Sequence, residues 1–341
     1  MTRRRKNELR EVPPLLLEKV RPPAGIVLGS PAEVAHLVEV LGLPEVVCYQ
    51  MDLYPAGRIQ EELGDRVKVE TAADLWDLPT SQQTLLYLPA QGGERELKID
   101  MVEQAFHVLR QHGVLMVWSP YQEEELFPNL MKKVFGRVHS YPTDSGTLLT
   151  SHRDGDRPRR RHEVAFQARI GDGPSCRFLS RPGTFSYGRF DNGARALLEV
   201  AEVHEGDRVL DLGCGCGTNG VFAWQRCGPT GHVTFVDSNL RALALAEHNA
   251  RANGVTSFDV VATPRVEGLP AASYDVLLVN PPYFAQSSIA RLFVERGQEL
   301  LKPDGRFYLV TRQPNETAQM IADTFGNVEA AECRGYIILS A

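Results

Sequence analysis

The chain has 341 residues, 43% of them apolar and 23% charged, with a formal net charge of −6. That is the composition of a globular protein long enough for two domains, and it excludes a non-specific nucleic-acid coat, which needs clustered Lys and Arg. No run of about 18 apolar residues is present to cross a bilayer. The basic start from Met1 to Lys6 leads into no apolar core of a signal peptide, and the six cysteines form no paired C-x-x-C. A cytoplasmic location is therefore expected, without disulfides, metal or membrane attachment.

The first half opens with an apolar strand at Gly25–Gly29, then a helix near 31–41 and a strand at Val46–Asp52 that ends in Asp. Leu85–Pro89 and Val114–Trp118 read as further strands. The polar, aperiodic stretch Asp154–Arg161 suits a linker, which places a first domain at 1–150 and a basic connection at 151–162. Arg157, Arg159, Arg160 and Arg161 give that connection a local positive charge and are expected to touch RNA.

The second domain is expected at 163–341. Glu163–Ile170 alternates like a strand. Strands then read at Arg208–Leu212, His232–Asp237, Phe258–Thr263, Tyr274–Asn280, Arg306–Thr311, Val328–Cys333 and Tyr336–Ser340. Helical patterns lie between them near 217–227, 239–253, 287–301 and 315–325, with Ser238 expected to cap the second. Strands alternating with helices predict a mostly parallel sheet, closed by an antiparallel strand at the end. The first half follows the same plan more faintly. Pro89 precedes Gly113 by 24 residues and Asn280 precedes Gly305 by 25, and a strand follows each glycine. An internal duplication is the expected origin.

Two motifs carry chemistry. In the first, strand Val209–Leu212 runs into Gly213-Cys214-Gly215-Cys216-Gly217, and Asp237 ends the next strand. Such a loop lets backbone approach a ligand, and a carboxylate at the Asp237 position can accept from both ribose hydroxyls. A dinucleotide site prefers G-x-G-x-x-G to seat a pyrophosphate, whereas here Asp211 precedes the loop and would repel phosphate. S-adenosylmethionine, with an ammonium and a ribose, fits better than a nicotinamide dinucleotide. Asp211, Gly213, Gly215, Gly217, Asp237, Ser238, Thr263 and Asn280 are the expected cofactor residues. Cys214 and Cys216 read as small buried fillers.

The second motif is Asn280-Pro281-Pro282-Tyr283 at the end of a strand. The prolines stiffen the chain and donate no N–H, so carbonyl oxygens and the Asn280 amide are left to accept. Tyr283 can stack on a flat ring. Together they suit a planar NH₂ group whose nitrogen lone pair is drawn toward a methyl donor.

These motifs resemble the class I S-adenosylmethionine-dependent methyltransferases that modify exocyclic or amide nitrogens. The stretch from Pro182 through Phe185, Arg189 and Asp191 to Leu198 is similar to the small methyltransferase domain of ribosomal RNA guanine-N2 methyltransferases. The resemblance implies two tandem Rossmann-like α/β domains, the first degenerate, and a monomer acting on 16S or 23S ribosomal RNA or a ribosomal subunit. It implies that Phe185, Arg189 and Asp191 cover the cofactor and substrate. Adenine N6 and a protein glutamine N5 carry the same H₂N–C fragment and stay open as substrates. A non-catalytic RNA-binding or assembly protein is the reading from another class.

Overall fold

A computed structural model describes residues 9–79, 81–281 and 288–341. The chain divides into two compact units, Met1–His162 and Glu163–Ala341. Among the described residues, the first unit has strands β1 (Ala24–Val27), β2 (Val46–Gln50), β3 (Val67–Thr71), β4 (Gln82–Tyr87), β5 (Leu109–Ser119), β6 (His139–Thr143) and β7 (Gly146–His152). The second has a two-stranded ribbon, β8 (Val164–Ala168) and β9 (Cys176–Ser180). A second sheet follows, with β10 (Arg208–Leu212), β11 (His232–Asp237), β12 (Phe258–Ala262), β13 (Tyr274–Val279), β14 (Leu301–Thr311), β15 (Glu329–Cys333) and β16 (Tyr336–Ser340).

The two large sheets share one topology. Their orders are β3-β2-β1-β4-β5-β7-β6 and β12-β11-β10-β13-β14-β16-β15. In each, the first five strands are parallel, and the last strand of the unit inserts antiparallel beside the fifth. Such a sheet must bury both faces, so its central strands are mostly continuous apolar runs rather than alternating ones. In β10 and β13, Val209, Val276 and Leu278 feed the core on one face, and Leu210, Leu212, Leu277 and Val279 feed the other. The first unit repeats this, with Val27 and Leu85 on one side of the sheet and Ile26 and Leu86 on the other.

Register fixes which residues correspond. Val27 pairs with Tyr49 and Tyr87, and Leu212 pairs with Val236 and Val279. One residue further on, Gln50 corresponds to Asp237 and Leu88 to Asn280. The backbone agrees: Leu28 N–H donates to Tyr49 O at 2.9 Å, as Gly213 N–H does to Val236 O at 2.8 Å. Asp52 is thus not the partner of Asp237, as the two strand endings suggested. It lies two residues later and caps the helix Leu53–Leu63 through Tyr54 N–H, the task Asn239 performs for Leu240–Ala252.

The stretch 151–162, expected as a linker, packs on the first unit. His152 still belongs to β7. Arg157 donates to Val134 O at 2.7 Å and lies over Phe106, Arg159 lies over Trp76, and Arg161 faces Asp74 at 4.0 Å. His162 meets Glu103 at 3.0 Å. Burial works to raise the Glu103 carboxyl, but His162 and the nearby arginines Arg160 and Arg157 more than offset it, leaving the group below its ordinary range. Alternating charge and aromatic contacts hold this run down; its composition alone reads as solvated chain.

Candidate active site

Strand β10 delivers Asp211 into the interior. Asp211 has no exposed surface. Its Oδ2 accepts from Gly220 N–H at 2.8 Å and its Oδ1 from the Asn219 amide at 3.4 Å. The carboxylate therefore anchors the first turn of the helix Thr218–Cys227, and the expectation that it meets a ligand's ammonium directly gives way to this bracing role. Burial pushes its carboxyl up to about 7; the Gly220 and Asn219 bonds work against that shift and the charge of Asp237 adds to it.

The three glycines of the loop do different work: Gly213 has φ +73°, and a Cβ there would touch the Phe293 ring at 3.4 Å. Gly215 has φ +54°, and a Cβ there would meet open space. Gly217 has φ +84°, and a Cβ would stand 2.9 Å from the Cα of Ala246. Close packing of the neighbouring helix thus requires glycine there. Gly220, which the motif reading passed over, is required for the same reason: a Cβ would lie 2.2 Å from the Phe235 ring. Cys214 and Cys216 are buried, and burial raises the Cys216 thiol to about 12, so both are inert fillers. Among the described residues, no group of three or more His, Cys, Asp or Glu could hold a metal, and no helix is long and apolar enough to cross a membrane.

Asp237 is tied to the loop. Its Oδ2 accepts from Gly215 N–H and its Oδ1 from Asn239 N–H, both at 2.9 Å. The cap of the following helix is Asn239 rather than Ser238: its Oδ1 accepts from Arg241 N–H and Ala242 N–H. Ser238 makes no side-chain hydrogen bond among the described residues. Thr263 does not line the pocket formed at the glycine loop; its hydroxyl oxygen accepts from Glu267 N–H at 3.0 Å in the turn after β12.

A pocket opens at the carboxyl ends of β10 and β13. It is lined by Phe185, Ser186, Arg189, Asp191 and Ala194, by the loop from Gly213 to Cys216 with Thr218 and Asn219, and by Asn280. The fold thereby brings Phe185, Arg189 and Asp191, 89 or more residues upstream of Asn280 in sequence, to the glycine loop. Residues that motif reading missed hold this segment in place. Arg241, fully buried, donates to Pro182 O at 2.6 Å, and the Asn239 amide donates to Gly183 O at 2.9 Å. The Asn249 amide donates to both Leu179 O and Cys216 O at 2.9 Å, fastening β9 to the loop. The polarity of Arg241 and Asn249 on the otherwise apolar buried face of that helix was the available signal.

Two residues lining this pocket have a buried amide oxygen with no hydrogen-bond partner among the described residues: Oδ1 of Asn219 and Oδ1 of Asn280. A buried acceptor left unpaired is costly, on the order of 1–3 kcal/mol, and two on one cleft mark places where donors belong. Asn280 is at the position expected for it. Pro281 follows it; Pro282 and Tyr283 lie outside the described residues.

Residues 175–340 match the family described as "Methyltransferase small domain". The second unit belongs to this family. Among curated proteins, the chain is similar to the ribosomal RNA small subunit methyltransferase C of Pseudomonas entomophila, 29% identical over 57% of this chain and 59% of that protein. It is 25% identical to the protein of the same name from Vibrio parahaemolyticus, over 86% of this chain and 84% of that one. The ribosomal RNA large subunit methyltransferase G of Streptomyces avermitilis is 31% identical over 47% of this chain and 43% of the relative. The alignments to the first three small-subunit relatives span only 41% to 59% of those proteins. Among solved structures, a 16S rRNA N2 methyltransferase from T. thermophilus, in complex with AdoMet and guanosine, shares the fold with a TM-score of 0.78. That likeness covers 96% of this chain and 90% of the other at 21% identity. The two units thus form two Rossmann-like α/β sheets in tandem.

Proposed function

We propose that the protein transfers a methyl group from S-adenosylmethionine to the exocyclic N2 amine of a guanine in ribosomal RNA. The observation that carries the reading is Asn280 on the glycine-loop pocket, with a buried Oδ1 that has no hydrogen-bond partner among the described residues. An acceptor there, beside a proline-braced carbonyl, suits an NH₂ donor and would draw its hydrogens away from an incoming methyl. The small-domain match and the named relatives support the same chemistry.

The residues present fit S-adenosylmethionine. Asp237 would take the ribose hydroxyls. Asn219 Oδ1 is an acceptor for the ammonium, and the uncapped N-terminus of helix Thr218–Cys227 suits the carboxylate. Bound there, the cofactor supplies an electrophilic methyl on a sulfonium. The chain's own part is alignment: Asn280 and the Pro281 carbonyl orient the amine, and Phe185, about half exposed at the pocket mouth, offers a face on which a splayed base can stack. Arg159, Arg160 and Arg161 on the first unit are the RNA-contacting run we propose, acting on phosphates.

The test is mass spectrometry of ribosomal RNA nucleosides from cells with and without the gene, joined to transfer of labelled methyl by the purified protein. Loss of N2-methylguanosine at one position is expected. Intact N2-methylguanosine, or loss of N6-methyladenosine instead, would overturn the guanine assignment.

A further inference from the structure

We infer that Asp191 is the positioning residue that decides which way round the Asn280 side-chain amide faces its substrate, an inference that rests on the reading proposed above. The two ends of an asparagine amide are nearly isosteric, so only the neighbours fix which end points where. Here one neighbour is a carboxylate. Asp191 Oδ1 accepts from Asn280 Nδ2 at 3.1 Å. An ionised carboxylate has no hydrogen to give, so only the NH₂ end of Asn280 can face it. The oxygen end is thereby left on the other side of the amide, buried and without a partner among the described residues, on a residue that lines the pocket.

The flipped alternative would be wrong twice. It would set the Asn280 oxygen against a carboxylate oxygen, and it would present N–H groups to a substrate that is itself a donor. The bond to Asp191 also polarises the amide and makes its oxygen a stronger acceptor. Asp191 is itself held: the same Oδ1 accepts from Ala194 N–H at 2.9 Å as the cap of helix Asn192–Val200. One oxygen therefore ties the upstream segment that carries Phe185 and Arg189 to the strand end that carries Asn280. The first unit has nothing to orient at this point, because Leu88 stands where Asn280 does.

The helix cap gives Asp191 a structural role as well, and the test separates the two. Asp191→Ser keeps a good N-cap but is too short to hold the amide. Asp191→Asn keeps an Oδ1 acceptor for both donors. Methyl transfer from labelled S-adenosylmethionine to ribosomal RNA is measured for both, for Asp191→Ala, and for the double variant with Asn280→Ala. The Ser variant is expected to melt near the parent temperature, to lose on the order of tenfold or more in kcat, and to keep its KM for S-adenosylmethionine. The Asn variant should recover most of that loss. In the Asn280→Ala background, removing Asp191 should cost almost nothing further, because its effect runs through that amide. Parent-like kcat in the Ser variant, or full multiplication of the two losses in the double variant, would overturn the inference. The side-chain amide resonances of ¹⁵N-labelled Asn280, identified by their loss in Asn280→Ala, report the bond without turnover. Resonances unmoved by Asp191→Ser would overturn it too. Wild-type protein that methylates no ribosomal RNA would sink the proposed function, while those resonances would still decide the role of Asp191.

Discussion

The two units have one topology and opposite sites. In the second, β10 leads into a glycine loop, and Gly217, with no side-chain hydrogen bond, caps the next helix. In the first, β1 leads through Leu28 and Gly29 to Ser30, which closes a capping box with Glu33. The first helix is thus closed by its own N-cap side chain, where the second has Asp211 on Gly220 N–H and leaves Thr218 and Asn219 on a pocket. Gln50 stands in place of Asp237 and donates to Gly29 O at 3.2 Å, so a polar group that could hold a ribose is spent on the turn. Leu88, 2% exposed, replaces Asn280, and its methyl stands 3.0 Å from where a Cβ on Gly29 would be. The difference teaches that a sheet of this kind fixes where a ligand can bind, and a few residues at the strand ends decide whether one does.

Changes at those strand ends test the contrast. Asn280→Ala is expected to lower turnover by on the order of 10²- to 10³-fold, the usual cost of removing one preorganised polar group at a reacting centre. Calorimetry with S-adenosylmethionine should show its affinity nearly kept; a matching loss of affinity would make Asn280 a cofactor residue instead. In the first unit, Leu88→Asn should cost about 2–4 kcal/mol in urea unfolding, because it removes a buried Leu and buries an amide without partners. Binding should stay at one S-adenosylmethionine per chain. A second equivalent would mean that the first unit is closed by that leucine alone.

Asp211 offers a pH contrast, since Leu210 and Leu212 beside it are apolar and the first-unit strand Ala24–Val27 carries no carboxylate. Its folded pKa, about 7, lies above the unfolded value near ~3.9. Between those two values the folded protein therefore holds the extra proton, and stability falls as pH rises toward 7 and levels off above it. Melting temperatures across pH 4–8 should show that fall in the parent and a flatter course in Asp211→Asn. Parallel curves would remove Asp211 as its source. The smallest effect is expected at Ser30→Ala, about 1 kcal/mol from the lost capping box, read as an earlier urea transition of the first unit.

Much of this was legible in the sequence. The second unit's strands β10, β11 and β16 begin and end where apolar runs do, because a doubly covered sheet demands continuous burial. The placement of the asparagine at the proline corner and of the aspartate at the end of β11 beside the glycine loop was legible, because both follow directly from where the apolar strand runs end. The basic stretch before residue 163 was misleading, since a sequence does not reveal that arginines lie on Trp76 and Phe106. Ser238 was likewise the wrong cap by one residue, a shift that helical pattern alone does not resolve.

What the sequence determined by itself was the repeated α/β plan and the two motifs, for these depend on local runs of residues and short spacings. Tertiary structure alone decided three things: that Asp211 braces a helix, that Gln50 and not Asp52 matches Asp237, and that Asp191 meets Asn280 across 89 residues of chain. Each depends on strand register and on which side chains converge at the sheet's edge, and those are set only when distant segments pack.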